Sequence, residues 1–140
     1  MGRFRTFDHT ADLGIEVEAD SLDDLFATAA QGLVSLVVAN PETIRESSER
    51  TVRLSAQDLT DLLIGWLSEV LFLIETNHEV YARFAVSVEQ RPPRLEATVF
   101  GEPIDRQRHV LDHEVKAVTH HGAEIRPTEH GYAARVIVDI

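Results

Sequence analysis

Two carboxylates, an imidazole and a hydroxyl fall within five residues near the start of the chain, in Asp8-His9-Thr10-Ala11-Asp12. Carboxylate oxygens are the donors that Ca²⁺ and Mg²⁺ prefer, so this segment has the chemistry of a cation loop. The same residue types also cap turns by bonding local backbone N–H groups, and on these five residues alone that plainer reading carries more weight. At the other end, Ala134-Arg135-Val136-Ile137-Val138 runs into Asp139 and Ile140. If so apolar a strand sits inside a sheet, the Asp139 carboxylate and the Ile140 α-carboxylate arrive together, and two such charges repel unless a cation or basic group lies between them. A solvated terminus is the alternative. A third group is His113 to His121. On a strand, Glu114, Lys116 and His120 share one face, while His120 and His121 point apart and cannot ligate one metal without a bulge. Lys116 is the single lysine among the 13 basic residues, so a role for a compact ammonium falls on it. Glu69 interrupts the most apolar run, Trp66-Leu67-Ser68-Glu69-Val70-Leu71-Phe72, and lies either at a wet rim or against a buried partner.

Positioning these residues requires two helices and a set of strands. Ser21 with Asp24 three residues on is a capping box, and Leu22, Leu25, Phe26, Ala29, Ala30, Leu33, Leu36 and Val37 follow at helical spacing up to Asn40-Pro41. Asp58 opens a second helix whose apolar residues, from Leu59 to Ile74, nearly encircle it, so it is expected to be the central buried one. Elsewhere the period is two: Ile15, Val17 and Ala19; Val52 and Leu54; Phe84, Val86 and Val88; then Leu95, Ala97 and Val99 after the Arg91-Pro92-Pro93-Arg94 turn. A polar, turn-rich stretch from Gly101 to Asp112 precedes three further strands over about 113–119, 123–127 and 131–139. The expected fold is α+β, one domain over 1–140, with a largely antiparallel sheet and two helices packed on it.

Composition closes off several classes. With 140 residues and 44% apolar, the chain can bury a core without staples. No Cys means no disulfide, no thiolate chemistry and no Cys-based zinc site. The net charge of −11 argues against binding nucleic acid through a broad basic face. The Met1–Ile15 segment has no signal-like apolar stretch, and 62–74 falls short of the about 20 residues that a bilayer span needs, so the expectation is a soluble cytoplasmic protein with no membrane contact. No P-loop and no nucleophile elbow is present, no His-x-x-x-His spacing falls on an expected helix, and an enzyme reading has little to stand on.

His9-Thr10-Ala11-Asp12-Leu13-Gly14-Ile15, the helix around Trp66 and Glu69, Gly101-Glu102-Pro103 with Arg108-His109, Glu114-Val115-Lys116-Ala117-Val118-Thr119, and the terminal Val136-Ile137-Val138-Asp139-Ile140 resemble the archease family, in order and across essentially the whole chain. The resemblance implies a small acidic protein that is not itself an enzyme. It acts as cofactor of the tRNA-splicing ligase, which joins RNA 3′-phosphate or 2′,3′-cyclic-phosphate ends to 5′-hydroxyls in tRNA splicing or RNA repair, and it promotes guanylylation of the ligase active-site His and repeated turnover. RNA is then met only through the ligase. It further implies a metal site of Asp12, Asp139 and the Ile140 carboxylate, with Ca²⁺ as the metal and Mg²⁺ sharing the same oxygen preference. Lys116 looks like the family's functional lysine; His9, Glu69 and His120 join it as residues for ligase activation. The chain departs from the family pattern at His120, Arg106 and His113, where Tyr, Pro and Thr are usual. Two other readings stay open: a metal-dependent phosphoester hydrolase using Asp12, Asp139, His120 and Lys116, and a chaperone-like modulator of nucleic-acid-processing proteins.

Overall fold

Ser21 and Asp58 start the two helices, as their positions in the sequence require. The Ser21 hydroxyl accepts the Asp24 N–H at 3.2 Å and opens α1, Leu22–Val37. The Asp58 carboxylate accepts the Asp61 N–H at 2.8 Å and opens α2, Leu59–Asn77. Each cap satisfies one N–H that has no partner within its helix. α2 closes at His78, which adopts the left-handed conformation (φ 52°). α1 ends before the Asn40-Pro41 stop signal: Val38 leaves the helix extended to bridge Leu111, and the Ala39 N–H donates to the Val110 carbonyl at 2.8 Å. The computed structural model describes residues 1–9 and 12–140.

Among the described residues seven strands accompany the helices: β1 Gly2–His9, β2 Asp12–Ala19, β3 Ser48–Ser55, β4 Glu79–Gln90, β5 Pro93–Pro103, β6 Ala117–Pro127 and β7 Tyr132–Asp139. The fold is α+β with antiparallel pairing throughout, and the strands divide between a four-stranded sheet, β1-β2-β7-β6, and a three-stranded one, β3-β5-β4. The helices join the sheets: α1 packs on β1, β2 and β7 and also on β4, and α2 packs on β6 and on β3, β4 and β5. Ile15, Val17, Val136 and Val138 meet Leu25, Phe26, Leu33, Leu63, Trp66 and Leu67 in one core, each large side chain contributing about 1.5–3 kcal/mol by leaving water. The Trp66 Nε1–H donates to the Phe26 carbonyl at 2.9 Å, and its ring meets Phe84 edge-on at 6.0 Å between centroids. α2 is not buried on all sides, however. Gly65 and Phe72 lie on an open face, Phe72 with 56% of its surface exposed.

The two strands expected over 113–119 and 123–127 are one strand, β6, whose pairing with β7 shifts register between Thr119 and Glu124. Residues 112–116 stay outside the sheet. The Asp112 N–H is taken by the Val37 carbonyl (2.8 Å) and the His113 N–H by the Leu36 carbonyl (2.9 Å), so the end of α1 holds this segment instead of a neighbouring strand. Gly122, at φ +69°, takes the backbone conformation that lets β6 bulge and continue.

Candidate cation and partner site at the end of the sheet

Register places four backbone positions in a row across the end of the four-stranded sheet. His9 pairs with Asp12, Asp12 with Asp139, and Asp139 with Ala117. Directly paired residues share a face, and the neighbours Leu13 and Val138 turn into the core, so Asp12 and Asp139 look outward together. Ile140 follows, 38% exposed. The Lys116 N–H donates to the Asp139 carbonyl at 2.8 Å, which fixes the lysine backbone beside the row, and the side chain is exposed. Thr10, Ala11 and the side chain of His9 lie outside the described residues.

The register sets the Asp12 and Asp139 carboxylates side by side, a juxtaposition of like charges that a cation between them would offset. Two Asp carboxylates, joined by the Ile140 carboxylate that the resemblance implies, would be hard oxygen donors, which suit Ca²⁺ or Mg²⁺ with water completing the shell. The residues present therefore fit the implied ion. Among the described residues no group of three or more His, Asp or Glu side chains that could hold a metal ion is found.

One pair of residues further along the strands, Phe7 pairs with Gly14 and Gly14 with Ile137. A Cβ on Gly14 would stand 2.0 Å from Phe7 Cζ, so the ring lies down over the glycine, and the Arg135 guanidinium covers it at 4.6 Å. Beyond it, Glu16 receives Arg5 at 2.7 Å and Arg135 at 3.9 Å.

The remaining candidates disperse. Glu114, Lys116 and His120 do not form one row, because the first two precede β6 and His120 sits in its bulge. The His120 Nε2 lies 3.7 Å from Asp61 Oδ1, at the start of α2. Glu69 is half-buried on α2, and no ion pair reaches its carboxylate among the described residues.

A second group of polar residues, Glu102, Arg108 and His109, entered the sequence reading through the family resemblance and was given no role of its own. Glu102 is 5% and His109 2% exposed. Arg108 grips both oxygens of Glu102 at 2.6 Å, the Arg45 N–H donates to Oε2 at 2.7 Å, and His109 Nε2 lies 2.9 Å from the same oxygen. The Asp105 N–H donates to His109 Nδ1 at 2.9 Å, and a backbone N–H can only donate, so Nδ1 is the acceptor and the proton sits on Nε2, aimed at Glu102. Both ring nitrogens are bonded, so His109 clamps the loop to Glu102. Arg108, helped by the Arg45 N–H and His109 and opposed by burial, holds the Glu102 carboxyl down at about 2. Asn40 adds bonds to the Arg108 carbonyl and the Val110 N–H, so residues 105–113 are fastened to the end of α1. The signal was Arg-His following Gly-Glu-Pro in a turn-rich stretch: three strong polar groups that a short loop must satisfy somewhere. Beside it, Glu79 accepts from Arg50 (2.6 Å) and the Tyr81 hydroxyl (3.0 Å); Arg50 lowers its pKa, and burial raises that of Tyr81.

Comparison with known proteins places the chain in a family. The family model described as Archease protein family (MTH1598/TM1083) matches residues 4–140. The chain is 31% identical over 141 residues to protein archease of Methanosarcina mazei, covering 99% of this chain and 96% of that one. The solution structure of protein 1598 of Methanobacterium thermoautotrophicum superposes with a TM-score of 0.83 at 33% identity, over 98% of both chains. A crystal structure from Thermotoga maritima, described as an archease and possible chaperone, shares the fold at a TM-score of 0.66 and 17% identity, over 97% of this chain and 96% of that one. With a family match along nearly its whole length and relatives above 30% identity, the chain belongs to the archease family.

Proposed function

We propose that this chain is a non-catalytic cofactor of an RNA ligase of the tRNA-splicing type, acting in the cytoplasm to promote guanylylation of the ligase active-site His so that the ligase turns over repeatedly. The observation that carries this reading is the pairing of Asp12 with Asp139 at an open sheet end, with the Lys116 backbone bonded to Asp139. Family membership supports it further. In this reading Asp12, Asp139 and the Ile140 α-carboxylate hold Ca²⁺, which would supply a fixed positive charge that neutralises the row. The chain's own residues do the rest: β2 and β7 set the spacing of the two carboxylates, and Lys116 presents an ammonium at the rim toward the partner. Contact with RNA runs through the ligase, since a chain of net charge −11 lacks the cationic face that phosphates need.

The test is ligation of RNA 3′-phosphate to 5′-hydroxyl ends under multiple turnover, with ligase and guanylyl donor. The account expects many turnovers per ligase with the protein and few without it. No stimulation would refute the cofactor role. Turnover of RNA ends by this protein alone with Ca²⁺ or Mg²⁺ would instead establish the hydrolase reading, and equal stimulation of unrelated enzymes the chaperone-like one.

A further inference from the structure

The open face of α2 carries two features that the chain's own packing does not use. Gly65 sits in the helix interior, where glycine is less stable than alanine, and a Cβ added there would meet nothing within 4 Å. Gly32, the glycine of α1, is different: a Cβ there would stand 2.8 Å from the Ile15 side chain, so close packing inside the molecule explains it. Phe72, two helical turns from Gly65 on the same face, is 56% exposed. Asp61, Glu69 and Glu75 surround this face, and α2 contains no Lys or Arg at all.

We propose that this face is where the ligase docks, through a basic segment of the ligase whose backbone closes onto the Gly65 notch and whose apolar pocket takes Phe72. The inference rests on the cofactor reading above and names the surface it requires. Charge selects the occupant. A second copy of this chain would bring Asp61, Glu69 and Glu75 against themselves, whereas a protein that handles RNA has Lys- and Arg-rich surface to offer. A helix glycine with open space above it is what a close approach by another chain needs, and aromatic side chains, Phe among them, are enriched at interfaces relative to the rest of the surface.

The experiment is binding of the purified RNA ligase to the wild-type chain and to Gly65→Leu, Phe72→Ala and Glu75→Lys, with thermal melting and Ca²⁺ titration of each. Gly65→Leu replaces a poor helix former in open space, so its melting temperature should rise by about 3 °C, while ligase affinity falls roughly tenfold or more. Phe72→Ala should lose affinity similarly, and Glu75→Lys should slow association and weaken its salt dependence. Ca²⁺ affinity should be unchanged in all three. Higher stability with weaker binding is a combination that a purely structural glycine does not give. Variants that bind the ligase like wild type overturn the docking face and leave the cofactor reading standing. Failure of the wild-type chain to bind the ligase overturns both. A shift of the chain alone from dimer to monomer on Gly65→Leu identifies a second copy as the occupant, also against the proposal.

Discussion

At the scale of single residues the account turns on Lys116, the only lysine of 13 basic residues, exposed beside the Asp12–Asp139 row. Its side chain is tied into no ion pair among the described residues, so removing it should cost the fold within about 0.5 kcal/mol. Lys116→Ala should therefore melt like wild type and lower stimulated ligation about tenfold or more. Lys116→Arg should recover part of this, because a planar guanidinium places the same charge differently from a compact ammonium. Melting curves and multiple-turnover ligation on the same preparations check both halves, and full stimulation by Lys116→Ala would remove the residue from the site. Spacing alone gave Asp12 and Asp139 little weight, since they lie at opposite ends of the chain and residue types there also fit a capped turn and a solvated terminus. Their meeting depends on β7 entering the sheet beside β2, a long-range pairing with no local signature. Only resemblance made that pair legible before the structure.

At the scale of elements, the helices were readable because capping and the 3.6-residue period are local: Ser21 and Asp58 cap as expected. The 113–127 region was not. Its alternation is that of a strand, but Leu36, Val37, Val110 and Leu111 draw 110–113 to the end of α1, and the shift between Thr119 and Glu124 merges what looked like two strands. The Glu102–Arg108–His109 clamp holds that arrangement, and it makes a pH prediction. The Glu102 carboxyl is held at about 2, below its ordinary value, so the unfolded chain binds the extra proton first. Its contribution is complete above the ordinary carboxylate range near 4.5 and is lost as pH falls toward 2; Glu79, lowered by Arg50, acts in the same direction. Glu102→Gln should lower stability at pH 7 by about 2 kcal/mol, since Arg108 loses its charged partner and the amide NH2 that replaces one carboxylate oxygen faces a guanidinium donor. It should also flatten the acid limb of the denaturation profile. Urea midpoints from pH 2 to 7 for both proteins measure this, and parallel profiles would show that the clamp contributes no pH dependence.

At the scale of the whole molecule, charge and shape divide the labour. No helix of the structure is long and apolar enough to cross a membrane, and a net charge of −11 disfavours contact with polyanions. The isolated protein should bind single-stranded RNA more weakly than micromolar at physiological salt, and tighter binding by fluorescence anisotropy would undo the indirect role given to RNA. The central claim is that the sheet end formed by Asp12, Asp139 and Ile140 is what acts on the ligase. The measurement that reaches it most directly compares a chain extended beyond Ile140 with one extended before Met1, in multiple-turnover ligation and Ca²⁺ titration. An extension after Ile140 turns its carboxylate into a neutral amide carbonyl beside Asp139 while leaving the core strands and both helices unaltered. The account predicts that this chain melts normally, binds Ca²⁺ roughly tenfold more weakly or worse and loses most of its stimulation, since even outer-shell partners of a metal are worth about 10–100-fold. The chain extended at Met1 should behave as wild type. Equal Ca²⁺ affinity and equal stimulation by the two extended chains would contradict it.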